Sequence, residues 1–366
     1  MTQVAIIGAG IIGSAIAYEL STLPKLQISL IDEQHPASGS TGAALGVLMG
    51  IISHKTKSRA WRLREESIRR YQTLIPELEK LTGEKIPFNN QGIVKLLFEG
   101  DYLPYWERLQ ATRQEQGWAL EIWDQLELQN RCPQIDLEKN KIIGAVYSPQ
   151  DGQVNPTILT QTLIKAAKIN GVKCKFGLKV DRVGFAGRSC EQVHTSEGII
   201  ETDWLIVAAG LGSTPLTAST SQGVEIRPVL GQALQLKLKQ PLGDVKFQPV
   251  ITGNDVHIVP LGKGEYWVGA TLEFPSDTGE IEPQQELLEQ VREKAIAFCP
   301  NLADAQIIYT WSGKRPRPQG ESAPIIKPLT GYNNVLLATG HYRNGVLLAP
   351  ATAQEILRLC GSQKWN

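Results

Sequence analysis

The chain has 366 residues, no formal net charge and 42% hydrophobic against 20% charged residues, the balance of a globular fold with a full core and no electrostatic pull toward nucleic acid or an anionic membrane. Its five cysteines, Cys132, Cys174, Cys190, Cys299 and Cys360, are widely spaced and include no C-x-x-C pair, which speaks against a disulfide framework or a metal site and predicts reduced thiols in a cytoplasmic protein. No apolar run reaches the roughly 18 to 20 residues of a membrane span, and a strand-like run by Gln3 leaves no room for a signal peptide.

Residues 3–33, QVAIIGAGIIGSAIAYELSTLPKLQISLIDE, predict a buried strand, a glycine turn, an apolar helix and a second strand ending in acid. In such a unit Gly8 permits the tight turn, Gly10 lets the backbone approach a pyrophosphate, and Gly13 lets the helix lie close on the sheet. The helix N-terminus offers free N–H groups to phosphate, and Asp32 stands where a carboxylate reaches ribose hydroxyls. These features predict dinucleotide binding. The acid disfavours NADP, but the motif leaves FAD and NAD open.

Residues 36–50, PASGSTGAALGVLMG, are small enough for close approach to a flat or phosphorylated group. An amphipathic helix is predicted over 58–82, with Trp61, Leu63, Ile68, Tyr71, Leu74 and Leu78 on its apolar stripe and its arginines on a solvated face. Residues 86–147 mix short strands with an acidic helix. DGQVNPTILTQTLIKAAKINGVKCKFGLKV, 151–180, reads as a turn, a helix from about Pro156 to Gly171, and a strand. ETDWLIVAAGLGS, 201–213, is a buried strand entering a glycine turn, and from Ile226 to Thr271 alternating patterns predict an antiparallel sheet over a cavity. A helix near 283–298 and a strand with Tyr309 and Trp311 precede NVLLATGHYRNGVLLAPATAQEIL, a strand, glycine loop and helix.

In this order GAGIIGSAIAYEL, SGSTGAALG, DGQVNP, LIVAAGLGS, HIVP with VGATLE, GKRPRP and ATGHYRNGVLLAPAT resemble the FAD-dependent D-amino acid oxidase superfamily, within it the glycine and sarcosine oxidase branch. The last segment is similar to the C-terminal signature of the glycine oxidases of thiamine synthesis. The resemblance implies an α/β fold, α+β overall, of glutathione-reductase type. A Rossmann-type FAD-binding domain (1–83, 142–220 and 323–366) is interleaved with an antiparallel-sheet substrate domain (84–141 and 221–322).

It also implies cofactor contacts. These fall on Gly8, Gly10, Ile11, Ile12 and Gly13 of the first turn, on Asp32 and Glu33, and on Ser40 and Thr41 by the pyrophosphate. Leu45, Gly46 and Val47 would lie along the isoalloxazine and Val180 at the adenine. His341, Tyr342, Arg343, Asn344, Gly345 and Val346 would wrap the flavin, with the following helix aimed at its N1–C2=O edge, where positive potential favours the reduced form. Sarcosine oxidase relatives attach FAD through a cysteine in the stretch matching GKRPRPQGES. None lies there, so noncovalent FAD is expected.

Arg315 matches the arginine that pairs with the substrate carboxylate, a geometry suited to guanidinium. Arg343 is either a second substrate contact or an anchor of its loop. His257 stands where the glycine oxidase pattern has tyrosine, with a charge expected to vary near neutral pH. Leu272, with Trp267 and Trp311, is expected to bound the pocket. The reaction implied is oxidation of a small amino acid or amine, with oxygen as acceptor and peroxide as product, in a possible homotetramer. Three rivals remain open: a D-amino acid or proline dehydrogenase on the same fold with another acceptor, an FAD-binding protein without turnover, and an NAD-dependent dehydrogenase, which the C-terminal flavin motif disfavours.

Overall fold

The structure, a computed structural model, describes residues 1–220, 222–276 and 279–362. Ser221, the first residue of the expected second substrate segment, and residues 363–366 of the expected FAD segment lie outside the described residues.

A six-stranded sheet carries the first half of the architecture. Its order is Ile325–Pro328, Val335–Thr339, Trp204–Val207, Thr2–Ile7, Leu26–Asp32 and Lys173–Phe176, parallel except for the first. The central strand is apolar on both sides because both faces are covered. Val4 and Ile6 pack under the helices Ile11–Ser21, Ser58–Thr82, Pro156–Ile169 and Gly345–Ser362. Ala5 and Ile7 pack toward a small antiparallel sheet of Val180–Ala186, Ser189–Thr195 and Gly198–Glu201.

The helix Ser58–Thr82 ends as its sequence predicts, at Gly83 with φ 73 and its amide bonded to Glu79 O. Its arginines depart from a solvated face. Arg70 bonds Glu19 at 2.8 Å, Arg62 bonds Glu355 at 3.0 Å, and Arg59 donates to Ile326 O at 2.9 Å. The reason is packing: the helix lies against Gly345–Ser362 and Pro156–Ile169 and reaches Ile11–Ser21 through polar side chains, so long stems lie across apolar surface and their heads find neighbouring carboxylates and carbonyls.

The second sheet has eight strands: Gln306–Pro318, Ile226–Lys237, Glu265–Gly269, Val256–Gly262, Val250–Gly253, Ile93–Phe98, Ile142–Ser148 and Glu121–Trp123. All neighbours are antiparallel except Val250–Gly253 against Ile93–Phe98. Here the strand Ile142–Ser148 differs from the expected division. It pairs with Ile93–Phe98 along its length and five of its seven residues are buried there, so it belongs to this sheet.

Strand alternation gives the sheet two unlike faces. Leu234, Leu236, Ile258, Tyr266 and Val268 bury against the helix Gln285–Phe298. Ala233, Val259, Trp267 and Trp311 face the other way, toward Leu45 of the small-residue loop.

Candidate active site

The glycine turn has the geometry its spacing requires. Gly8 has φ +107, and a Cβ there would lie 2.5 Å from Ala208 O, while a Cβ on Gly13 would lie 1.8 Å from Gly8 O. At Gly10 the space is open except for Thr41 Oγ1 at 3.1 Å. Thr41 accepts from Ile11 N at 3.0 Å. The amides of Ile12 and Gly13, in the first turn of the helix Ile11–Ser21, have no acceptor among the described residues. Unpaired helix-terminal N–H groups beside an open glycine make a phosphate cradle. Asp32 is oriented by two amides, Ala9 N at 2.6 Å and Gln34 N at 2.9 Å, and Glu33 beside it is exposed. Val180 opens a strand three residues after Phe176–Gly177 leave the sheet, where Leu178 N donates to Asp32 O at 3.0 Å.

The small-residue loop is pinned between the two sheets. Ser40 Oγ donates to Lys314 O at 2.6 Å and Trp311 Nε1 to Ala43 O at 3.0 Å. Gly46 (φ +73) would drive a Cβ into Val154 O at 1.9 Å, and its carbonyl accepts from Val154 N. Leu45 O accepts from Gln153 Nε2, and Val47 pairs with Gln153 in a short ladder. The backbone of residues 45–47 therefore runs between DGQVNP and the face of the eight-stranded sheet.

That face is organised by register. Lys95, Thr252, His257, Gly269, Ala233 and Trp311 occupy one row across six adjacent strands. Gly269 and Ala233 at its centre leave a hollow that Leu45 closes: a Cβ on Gly269 would meet Ala233 Cβ at 2.8 Å and Leu45 Cδ1 at 3.2 Å.

Arg315 lies on the same face. Its guanidinium rests over Gly231, where any Cβ would fall 2.1 Å from Nη2, and it donates to Leu230 O at 2.9 Å and Thr271 O at 3.1 Å. Burial lowers its pKa, and the charge of Arg343 lowers it further. A cleft of about 230 Å3 includes Arg315, Arg343, Thr271, Leu272, Asp255 and Lys294 in its wall. Leu272 sits at its rim, 44% exposed. A depression of similar size lies at the N-terminal ends of the parallel strands, around Gln3, Gln27 and Lys173. Open α/β sheets bind ligands at the opposite, carboxyl ends of their strands, where the glycine turn is, so this depression is set aside.

His257 is electrostatically joined to both arginines. Its Nδ1 lies 2.9 Å from Thr252 Oγ1. Burial, then the charges of Arg343 and Lys95 and, more weakly, Arg315, push its pKa down to about 4. The expected titration near neutrality is thereby corrected: the ring is neutral there, chiefly because it is withdrawn from water and further because the neighbouring charges are mostly positive. Trp267 donates to Gln235 Oε1 at 3.0 Å and meets Trp311 edge to face at 5.9 Å. Both tryptophans thus line the sheet face and only Leu272 of the expected pocket residues reaches the cleft wall.

The C-terminal loop divides its residues. His341 turns inward, bonded to Thr352 Oγ1 at 2.8 Å, with burial holding its pKa at about 3. Tyr342 has φ 54 and begins the turn Tyr342–Asn344, Arg343 is exposed toward the cleft, and the helix Gly345–Ser362 follows. Val346 O is fixed by the Tyr71 hydroxyl at 2.5 Å.

Sequence reasoning missed the groups that hold the loop after Met49. Asp151, fully buried, accepts from the amides of Gly50, Ile51 and Ile52 and from Ser148 Oγ, each at 2.8 Å. Arg113, buried with its guanidinium 3.7 Å from the Trp61 ring centre, donates to the carbonyls of Ile51, Ser53 and Lys55. Asp151 opens the DGQVNP motif and could have been noticed; nothing local marks Arg113.

Comparison with known proteins agrees with this geometry. The profile of the DAO family, described as FAD dependent oxidoreductase, matches residues 3–359. The chain belongs to the FAD dependent oxidoreductase family. It is 28% identical to glycine oxidase of Bacillus subtilis over all of this chain and 94% of that protein. It is 30% identical to the bifunctional protein ThiO/ThiG of a Nostoc strain over 99% of this chain but 53% of that protein, so the chain spans about half the length of such relatives. A crystal structure of glycine oxidase from Bacillus cereus superposes with a TM-score of 0.88 at 27% identity, covering all of this chain and 96% of the other. The family is described as FAD dependent, and the chain has the mixed α/β architecture of glycine oxidase. The open Gly10 and the unpaired amides of Ile12 and Gly13 fit the pyrophosphate of such a cofactor.

Proposed function

We propose that the protein oxidises glycine and related small amino acids or secondary amines at the carbon bearing nitrogen, with oxygen as electron acceptor. The observation that carries this reading is Arg315. It is a half-buried guanidinium held over Gly231 by two carbonyls and open to the cleft beside Arg343, so donors remain for a carboxylate. FAD, when bound, supplies the two-electron acceptor that turns the amine into an imine, which water splits to an oxo acid and ammonia or amine, the electrons passing to oxygen as hydrogen peroxide.

The chain's own residues do the positioning. Gly8, Gly10, Ile11, Ile12, Gly13, Ser40 and Thr41 would hold the pyrophosphate, and Asp32 and Glu33 the ribose. Val180 would border the adenine, Leu45, Gly46 and Val47 would flank the ring system, and the loop from His341 to Val346 would close its edge. Arg315 would clamp the carboxylate, Arg343 would add a second positive charge, and neutral His257 would donate a hydrogen bond from the ring nitrogen not turned to Thr252. FAD would be held noncovalently, since GKRPRPQGES, residues 313–322, contains no cysteine.

In domain terms the FAD unit would comprise the outer and middle segments, with Ile142–Ser148 moved to the substrate unit. All five cysteines are free, which supports a cytoplasmic location, and no helix among the described residues is long and apolar enough to cross a membrane. Ile307, Ile308 and Tyr309, each 45–48% exposed on an edge strand, support association of copies such as a homotetramer. The match to ThiO/ThiG supports a place in thiamine synthesis.

The test is peroxide release, coupled to a peroxidase, from the purified yellow protein given glycine, sarcosine, D-alanine, L-proline or D-proline in air. Peroxide with glycine is the expected result. Flavin bleaching without peroxide would instead mean a dehydrogenase, and no bleaching with any of them would remove the substrate class.

A further inference from the structure

The strand Ile93–Phe98 lies inside the eight-stranded sheet, flanked by Val250–Gly253 and Ile142–Ser148. Its sequence is IVKLLF, apolar except for Lys95. Alternation sends Val94 and Leu96 into the core under the helix Gln285–Phe298, and Ile93 into the cluster around Leu45. Lys95 therefore stands on the Leu45 side, beside Thr252 and, one strand further, His257.

This ammonium is only partly exposed, yet it has no hydrogen bond or ion pair among the described residues. Lysine is rarely placed so without a partner, because a charge withdrawn from water must be compensated. Its neighbours are not counter-ions. Leu97, two residues on and on the same face of the strand, packs with Tyr105 and Trp106, the rings that hold His54, so that wall stands beside Lys95; the lysine's charge lowers the pKa of His54 and of His257 after burial has done so. His54 Nδ1 is 2.6 Å from the Tyr105 hydroxyl, and the ring packs against Tyr105 and Trp106 at centroid distances of 4.9 and 5.3 Å. The loop bearing His54 is held in place by Asp151 through its amides and by Arg113 through its carbonyls, so this wall is organised before any ligand arrives.

Arg315 and Arg343 form the other positive end of the same face, and His257 feels both ends. The α-carboxylate of an amino acid satisfies one end and leaves the other uncompensated. Resting on the amino acid oxidase reading above, we propose that Lys95, with His54 and Tyr105 beside it, binds a second anionic group. The preferred substrates are then small amines carrying two carboxylates, the second on the side chain or on the nitrogen substituent.

The experiment uses the holoenzyme and compares glycine and D-alanine with D-aspartate, D-glutamate and iminodiacetate, in the natural chain and in Lys95→Met and Lys95→Arg. At least one dicarboxylate should exceed D-alanine in kcat/KM by about tenfold to a hundredfold, the range of one charge-assisted contact. Lys95→Met should collapse that ratio at least tenfold, through KM, and Lys95→Arg should restore most of it. A preference for monocarboxylates in the natural chain, or a ratio unmoved by Lys95→Met, overturns the proposal. Calorimetric titration with unreactive succinate and acetate separates this outcome from failure of the oxidase reading. Succinate should bind the natural chain more tightly than acetate, and more tightly than it binds Lys95→Met, even if no amine is oxidised. Equal binding of the two acids sinks the inference, and because that contrast is read in the natural chain it stands even where Lys95→Met does not fold.

Discussion

The two ends of the candidate site are built in opposite ways. The glycine turn is backbone architecture: one contiguous stretch, in which Gly8 and Gly13 are dictated by carbonyls 2.5 and 1.8 Å from where a side chain would begin. The face of the eight-stranded sheet is side-chain architecture. Arg315 and Trp311 share one strand, His257 and Lys95 come from two others far apart in sequence, and the three strands bring them together only through register. Damage at the first should therefore reach fold and cofactor together, whereas damage at the second should reach substrate selection while the fold survives.

The largest effect expected on this contrast is at Arg315. Arg315→Lys replaces a fork that holds two carbonyls and a carboxylate with one ammonium, and kcat/KM for a turned-over amino acid should fall about a hundredfold with the flavin content intact. Gly231→Ala should come close to the same loss by occupying the place of the guanidinium. A variant that instead loses its flavin would break the distinction between the two ends.

Within the turn the contrast can be sharpened by two alanines. Gly13→Ala must push the helix off the strand and should cost about 1 to 3 kcal/mol or more, seen as a lower thermal midpoint of apoprotein and holoprotein alike. Gly10→Ala meets only Thr41 Oγ1 at 3.1 Å. Its apoprotein should melt within a degree or two of the natural one while the flavin-to-protein ratio drops. Equal thermal losses in the two would mean that Gly10 serves packing and not the phosphate.

The same contrast explains what could be read in advance. Gly8, Gly10, Gly13 and Asp32 declare themselves by spacing because local sterics and one short chain excursion fix their relation. The helices Pro156–Ile169 and Ser58–Thr82 follow from apolar periodicity and from their stops at Gly171 and Gly83. The strand Ile142–Ser148 is not legible as part of the eight-stranded sheet, because a short apolar run carries no information about which sheet it joins. The arginines of Ser58–Thr82 looked solvated because their partners, Glu19 and Glu355, lie in the first and last helices. Nothing local marks Lys95, since only the register puts this lysine of a buried strand in one row with His257.

Asp151 offers a smaller, pH-dependent test of the loop between the two ends. Asp151→Asn turns an amide donor toward at least one of three backbone N–H groups and should cost about 1 to 3 kcal/mol at neutral pH. Burial raises the folded carboxyl from 3.8 to about 6 despite those bonds. The folded chain then keeps a proton that the unfolded chain releases in that window, so the stabilising contribution of Asp151 falls as pH rises through it and levels off above. The difference in thermal midpoint between the natural chain and Asp151→Asn should thus be larger near the lower end of the window than at neutrality.

His257 should give the smallest effect and the opposite slope. Its pKa is lowered from 6.5 to about 4, so the unfolded chain takes up a proton first, and its contribution to stability is full above 6.5 and lost as pH falls toward the folded value. His257→Phe removes a neutral donor, for which kcat/KM should drop roughly 2- to 12-fold at neutral pH. Because the ring is neutral there, natural chain and variant should show pH profiles of the same shape between about pH 6 and 8. An inflection in that interval present only in the natural chain would mean that the substrate end is less enclosed than burial and the charges of Arg343, Lys95 and Arg315 require, and that His257 titrates as part of the reaction.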